Sequence, residues 1–202
     1  MSAPSTAITL IVNGEKVLET VEARTTLVDF LRENLGLTGS HVGCEQGICG
    51  ACTVRVDGKI VRGCLTLAAQ CDGARVETIE GVSDSGEIGD LQEAFQRRNA
   101  LQCGYCTPGM LLTAQELLAA GGVPSREAIR EHISGNYCRC TGYHAIVDAV
   151  ESVARARAGG KSLKSSKIRR RSYPRSIGPI PISAARCRGR IWRASRKAAV
   201  SS

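Results

Sequence analysis

Eight of the ten cysteines of this 202-residue chain fall into two groups of four. Cys44, Cys49, Cys52 and Cys64 lie in the run GCEQGICGACTVRVDGKIVRGC. Cys103 and Cys106 lie in LQCGYCTPG and are answered downstream by Cys138 and Cys140 in NYCRCTG. A C-x4-C-x2-C run with a later fourth cysteine is one of the spacings that holds a [2Fe–2S] cluster on four thiolates. Two such clusters in one short chain imply electron transfer rather than substrate chemistry.

Two ferric ions, two sulfides and four thiolates sum to a negative charge that reduction deepens, and removing it from water is costly unless donors surround it. Gly43, Gly47 and Gly50, set among the first three cysteines, meet that need. Residues without Cβ let the loop fold tightly, so that backbone N–H groups can point at the sulfurs. Zinc also takes four cysteines, usually as two C-x2-C pairs. The first group departs from that pattern, while the second, a C-x2-C pair with a C-x-C pair, suits either metal on spacing alone. A Rieske centre needs two histidines in place of two cysteines. His41, His132 and His144 are the only histidines and none lies between paired cysteines, so that centre is excluded. Cys71 reads as a small buried apolar residue, and Cys187 has no assigned role.

The elements that must position these thiols follow from pattern. Over residues 7–21, Ile8, Leu10 and Val12 alternate, Asn13-Gly14 supplies a two-residue turn and Val17 begins the return strand. Leu27 to Asn34 reads as a short helix capped by Thr25 or Thr26. Thr53–Val56, Asp57-Gly58 and Lys59–Val61 form a second hairpin, and Arg75 to Ile79 a last strand. These elements predict a small mixed sheet gripping a helix. Gly81 to Gly86 reads as a linker. Beyond it, Ile88, Leu91, Ala94 and Phe95 recur at helical spacing. Thr107 caps a second helix with Pro108 at its first position, running through Met110 to Ala120 and stopped by Gly121-Gly122. Ser125 caps a third, which carries Ile129 and Ile133 and ends at Ser134-Gly135-Asn136. Thr141 caps a fourth, with Ile146, Val147, Val150 and Val153 on one face. The pattern predicts a bundle of four short helices with cysteines at their ends.

The net charge of +8 is an average over two unlike regions. Residues 161–202 carry 13 Lys or Arg and no acid, leaving 14 Lys plus Arg against 19 Asp plus Glu in residues 1–160, a net −5. The basic tail lacks any sustained period and is expected to be disordered. Tyr173 and Trp192 are its only aromatics, so no specific nucleic-acid partner is expected. No basic segment followed by an apolar run marks a secretory signal, and no stretch approaches the roughly 18 apolar residues of a membrane span. A cytoplasmic location is expected. Cysteines in that setting point to metal or redox use rather than disulfides.

GCEQGICGACTV, then QCGYCTPGM, then NYCRCTGY, in this order and at these distances, resemble the small iron–sulfur subunit of the molybdenum hydroxylases, the xanthine dehydrogenase and aldehyde oxidase family. The resemblance runs from about residue 5 to residue 156 and favours iron in the second group. It implies an α+β fold: a ferredoxin-like β-grasp domain over residues 1–80 and a four-helix-bundle [2Fe–2S] domain over 81–158; the basic tail over 159–202 lies outside the resemblance. It implies one cluster on Cys44, Cys49, Cys52 and Cys64 and another on Cys103, Cys106, Cys138 and Cys140. The implied partners are a large molybdopterin subunit beside the bundle cluster and a medium FAD subunit beside the other, as a dimer of heterotrimers. By the same resemblance Gln102 is a candidate contact of the pterin, although its context is equally that of an ordinary polar residue before a ligand. The tail extends past the point where such subunits typically finish.

No base or nucleophile suggests chemistry by this chain alone, so the expected role is an electron-transfer subunit of an oxidoreductase. The competing readings are a free two-cluster carrier, and a zinc module with a nucleic-acid-binding tail. A free carrier needs only the first domain. The zinc module rests on the tail and on the ambiguity of the second group.

Overall fold

The computed structural model describes residues 4–160; the basic tail expected to be disordered, and Cys187 within it, lie outside them. The chain opens with the hairpin β1 (Ser5–Val12) and β2 (Glu15–Glu22). Asn13 and Gly14 both take positive φ, 51° and 87°, which matches the right-handed twist of the flanking strands. Ile8, Leu10 and Val12 are buried, as their alternation predicts. Helix α1 (Leu27–Asp29) runs straight into a π-helical turn over Phe30–Asn34. Of the two candidate caps it is Thr26 whose hydroxyl accepts the Asp29 N–H. A long loop leads to the second hairpin, β3 (Thr53–Val56) and β4 (Lys59–Arg62), turned by Asp57-Gly58. A 3-10 turn over Ala68–Cys71 precedes β5 (Arg75–Glu77). The five strands are ordered β2-β1-β5-β3-β4, with β1 and β5 parallel and the other pairs antiparallel. Leu27, Phe30 and Leu31 pack onto Ile8, Leu10, Val54 and Val76 to form the core beneath the sheet, and Cys71 is buried in it as expected.

The helical half begins earlier than its sequence suggests. The last strand stops at Glu77, and Ile79, expected at its end, starts α2 (Ile79–Asp84). The supposed linker is therefore largely helix. The glycine that suggested a linker serves close packing: a Cβ on Gly81 would stand 2.3 Å from Asn13 Oδ1. Asn13 in turn clasps the start of α2, accepting the Thr78 N–H at 2.9 Å and donating to Thr78 Oγ1 at 3.0 Å. Four further helices follow, α3 (Gly89–Arg97), α4 (Thr107–Ala119), α5 (Arg126–Ile133) and α6 (His144–Ala158). With α2 they make five helices where four were expected. They share a core of Leu91, Phe95, Met110, Leu112, Ile129, Ile146 and Val150 with their neighbours. Ser125 caps α5 as expected, accepting the Ala128 N–H.

Two caps differ from expectation by one or two residues. The cap of α4 is Cys106, with Thr107 first and Pro108 second in the helix. The cap of α6 is Tyr143, held at φ 68°, and Thr141 instead accepts the Tyr143 N–H through its hydroxyl at 3.1 Å. At the outer side of the sheet, the Ile60 N–H of β4 is taken by Glu116 Oε1 of α4 at 3.3 Å.

Candidate metal centres

All nine described cysteines are free of disulfides. Cys44, Cys49 and Cys52 lie on the loop between α1 and β3, and Cys64 follows the end of β4. The loop turns through Gly47 and Gly50, whose φ values are 75° and 74°. Their conformation aims neighbouring backbone groups inward, and the N–H groups of Gln46 and Cys49 both reach Cys44 Sγ at 3.4 Å. The donors are thus residues flanking Gly47 rather than the glycines themselves. Gly43 serves by size, since a Cβ there would stand 3.1 Å from Cys49 Sγ. Cys52 and Cys64 are buried with Val28, and the Cys64 N–H points at Cys52 Sγ from 3.5 Å.

In the second group Cys106 stands at the N-terminus of α4, where the helix dipole and unpaired N–H groups favour an anion. Cys138 packs against the helical core, and its N–H donates to Tyr143 Oη at 3.0 Å. The αL backbone at Tyr143 is what returns that ring to the cysteine loop. Cys140 Sγ lies 3.5 Å from Cys103 Sγ. Gln102 Nε2 donates to the Cys140 carbonyl at 3.0 Å, so this residue braces the loop.

The thiols associate in pairs. Cys44 neighbours Cys49 and Cys52 neighbours Cys64, with Cys49 also near Cys52 and Cys64; Cys103 meets Cys140, and Cys106 neighbours Cys138 and Cys103. Two adjacent pairs suit a dinuclear cluster, in which each iron takes two thiolates. Thr107 Oγ1, beside Cys106, is buried without a protein partner, which leaves a hydroxyl available for a cluster sulfur.

The surroundings shift the thiols in opposite directions. The backbone N–H groups of Cys49 and Gln46 hold the Cys44 thiol down at about 6. Burial pushes Cys52 up to about 11 and Cys106 up to about 12, and it also raises Cys49. Burial would raise Cys138 as well, but hydrogen bonds led by that of Thr141 Oγ1 leave it below its ordinary value. Thiols that resist ionising alone lose their protons to a cation placed among them.

The two groups face one seam, which spacing did not foretell. The Tyr137 N–H, next to Cys138, donates to the Cys49 carbonyl at 2.8 Å. Tyr105, next to Cys106, donates its hydroxyl to the Val42 carbonyl at 2.6 Å and stacks on His41 with ring centroids 4.5 Å apart. Asn136, 1% exposed, donates to the Gly50 carbonyl and accepts from Thr113 Oγ1. A Cβ on Gly50 would stand 2.5 Å from the Gly135 carbonyl oxygen. Asn136 stood in sequence only as a helix stop, and Tyr105 and Tyr137 only as neighbours of cysteines.

The family described as "2Fe-2S iron-sulfur cluster binding domain" matches residues 10–78, and that described as "[2Fe-2S] binding domain" matches residues 78–151. The caffeine dehydrogenase subunit gamma of Pseudomonas sp. (strain CBB1) is 50% identical over 74% of this chain and 92% of its own length. The nicotine 6-hydroxylase small subunit of Paenarthrobacter nicotinovorans is 55% identical over 69% of this chain and 84% of its own. Among solved structures, quinoline 2-oxidoreductase from Pseudomonas putida 86 superposes with a TM-score of 0.72 at 49% identity, over 78% of this chain and 99% of the matched one. The chain is an iron–sulfur-binding oxidoreductase subunit, and it belongs to the family of small [2Fe–2S] subunits of the molybdenum hydroxylases.

Proposed function

We propose that the chain relays electrons from a molybdopterin centre on a large subunit, through two [2Fe–2S] clusters of its own, to FAD on a medium subunit. The observation that carries this reading is the seam. The Cys49 carbonyl and the Tyr137 N–H join the two cysteine loops through one hydrogen bond of 2.8 Å. A free carrier needs no second site coupled to the first in this way.

Under this reading residues 1–80 form a ferredoxin-like β-grasp domain whose Cys44, Cys49, Cys52 and Cys64 hold one cluster. Residues 81–158 form a helical-bundle domain whose Cys103, Cys106, Cys138 and Cys140 hold the other, with 159–202 as a basic extension. Each cluster, when bound, takes up and gives back one electron. The chain's own residues supply thiolates, N–H donors at Cys44 Sγ and a hydrogen-bonded seam between the loops. Gln102 fixes the Cys140 carbonyl and would stand where the pterin approaches. Large and medium subunits would complete a dimer of heterotrimers in the cytoplasm; among the described residues no helix is long and apolar enough to cross a membrane.

The test is metal analysis with EPR on the anaerobically purified chain. About four irons and four acid-labile sulfides, with two distinct signals after dithionite, are expected. Cys140→Ser should alter one signal, leave the other and sharply cut turnover of the assembled complex. Stoichiometric zinc, or unchanged turnover with an altered second signal, would overturn the relay.

A further inference from the structure

Arg62 is a half-buried cation without a carboxylate. Its Nη1 donates to Thr53 Oγ1, and its Nη2 donates to the Gly135 carbonyl at 2.9 Å and to Asn136 Oδ1 at 3.3 Å. Every acceptor is neutral, and among the described residues no acid lies within ion-pair distance of it. By contrast Arg55, Arg126 and Arg157 each sit on one or two carboxylates. A desolvated charge left uncompensated by protein groups is unfavourable unless something else supplies the counter-charge.

The place of this guanidinium says what that is. Thr53 follows Cys52 directly, Arg62 itself stands two residues before Cys64, and Gly135 and Asn136 lead into Cys138. The cation therefore lies on the seam between the two cysteine loops, pinned from both sides. Arg139, between Cys138 and Cys140, is exposed, so its charge is screened by water and salt. Arg62 is half-buried, so its charge is screened less.

We propose that Arg62 is a positioning residue that raises the reduction potentials of both clusters by lying between them as a fixed positive charge. The inference rests on the two-cluster reading above. Each reduction adds one electron and one negative charge to a cluster, so a nearby cation favours the reduced state, and more so in a medium less polar than water. The neutral acceptors matter equally, because a carboxylate in their place would cancel the effect.

The test is a redox titration followed by EPR on the full chain, with iron and sulfide counted in every sample. In Arg62→Gln both midpoint potentials should fall, each by roughly tenfold in the reduction equilibrium, about 59 mV for a one-electron couple. In Arg62→Lys, which keeps the charge, both should stay near those of the unaltered chain. Arg62→Gln with full iron and unshifted potentials would overturn the proposal. Should Arg62→Gln lose its iron, the lysine variant decides: full iron with unshifted potentials sustains the role of charge. Lost iron or lowered potentials in that variant would mean that the guanidinium acts by its shape, overturning the proposal. Two EPR signals in the unaltered chain keep the two-cluster reading standing whichever way the variants fall.

Discussion

In the sheet half, Cys44, Cys49 and Cys52 share one glycine-turned loop, and Cys64 returns to it across the β3–β4 hairpin. In the helical half, Cys103 and Cys140 meet across 37 residues of sequence, joined by the Gln102 brace. The first site is shaped by backbone: positive φ at Gly47 and Gly50, and N–H groups aimed at Cys44. The second is shaped by packing: Cys106 caps α4, Cys138 lies on the helical core, and Tyr143 ties the CRC loop to the start of α6. A thiol set can thus be arranged by a short loop that carries its own geometry, or borrowed from the ends of helices that need a full core.

The sharpest way to break that contrast is to damage only the helical core. Phe95→Ala removes a side chain 1% exposed and should cost about 3–5 kcal/mol. The second EPR signal should weaken well before the first during denaturant titration. Simultaneous loss of both would mean that neither site is positioned independently.

Gly50 sharpens the contrast because it belongs to both halves. Gly50→Val puts a Cβ at a φ of 74° and 2.5 Å from a backbone oxygen of the other half. Backbone strain alone costs about 1–3 kcal/mol, and both signals should broaden. Gly47→Ala would meet the side chain of Leu65, which can move, so its effect should stay with the first signal. Identical spectra for these two variants would argue against a shared seam.

The smallest effect concerns how the helical half closes on itself. Arg157 grips Asp90 through two hydrogen bonds of 2.8 Å. Burial opposes ionisation of Asp90, yet the guanidinium keeps its carboxyl below the ordinary value. A depressed carboxyl stabilises the fold above its unfolded pKa near 4, and that stability is lost as pH falls through the lower folded value. Arg157→Ala should therefore cost about 1 kcal/mol, reduced by partial exposure, and equally at pH 7 and pH 5. A penalty that already shrinks between those two pH values in denaturant melts would assign it to another group.

Sequence carried the local features well. Alternation at Ile8, Leu10 and Val12, the Asn-Gly and Asp-Gly turns, the Ser125 cap and the buried face of Ile146, Val147, Val150 and Val153 all stand as read. What escaped was decided by tertiary contact. Gly81 to Gly86 read as a linker because glycine disfavours helices, but the missing side chain of Gly81 is what lets α2 lie against Asn13. Tyr143 takes an αL cap that its own propensity does not announce, because its hydroxyl is held by the Cys138 N–H. Asn136 and Arg62 show no pattern along the chain, since their partners are fixed only when the two halves meet.

The two outer strands of the sheet bear on self-association. Strand β2 turns Glu15, Lys16, Glu19 and Glu22 to solvent, so a second strand laid along it would confront charge. Strand β4 has the Ile60 N–H occupied by Glu116 of α4. Open strand edges template further pairing, and both of these are blunted, one by repulsion and one by a side chain from the helical half. Docking of α4 thus helps guard one edge of the sheet as well as seating Cys106, and a chain whose helices have come loose would expose the β4 edge while β2 kept its charges.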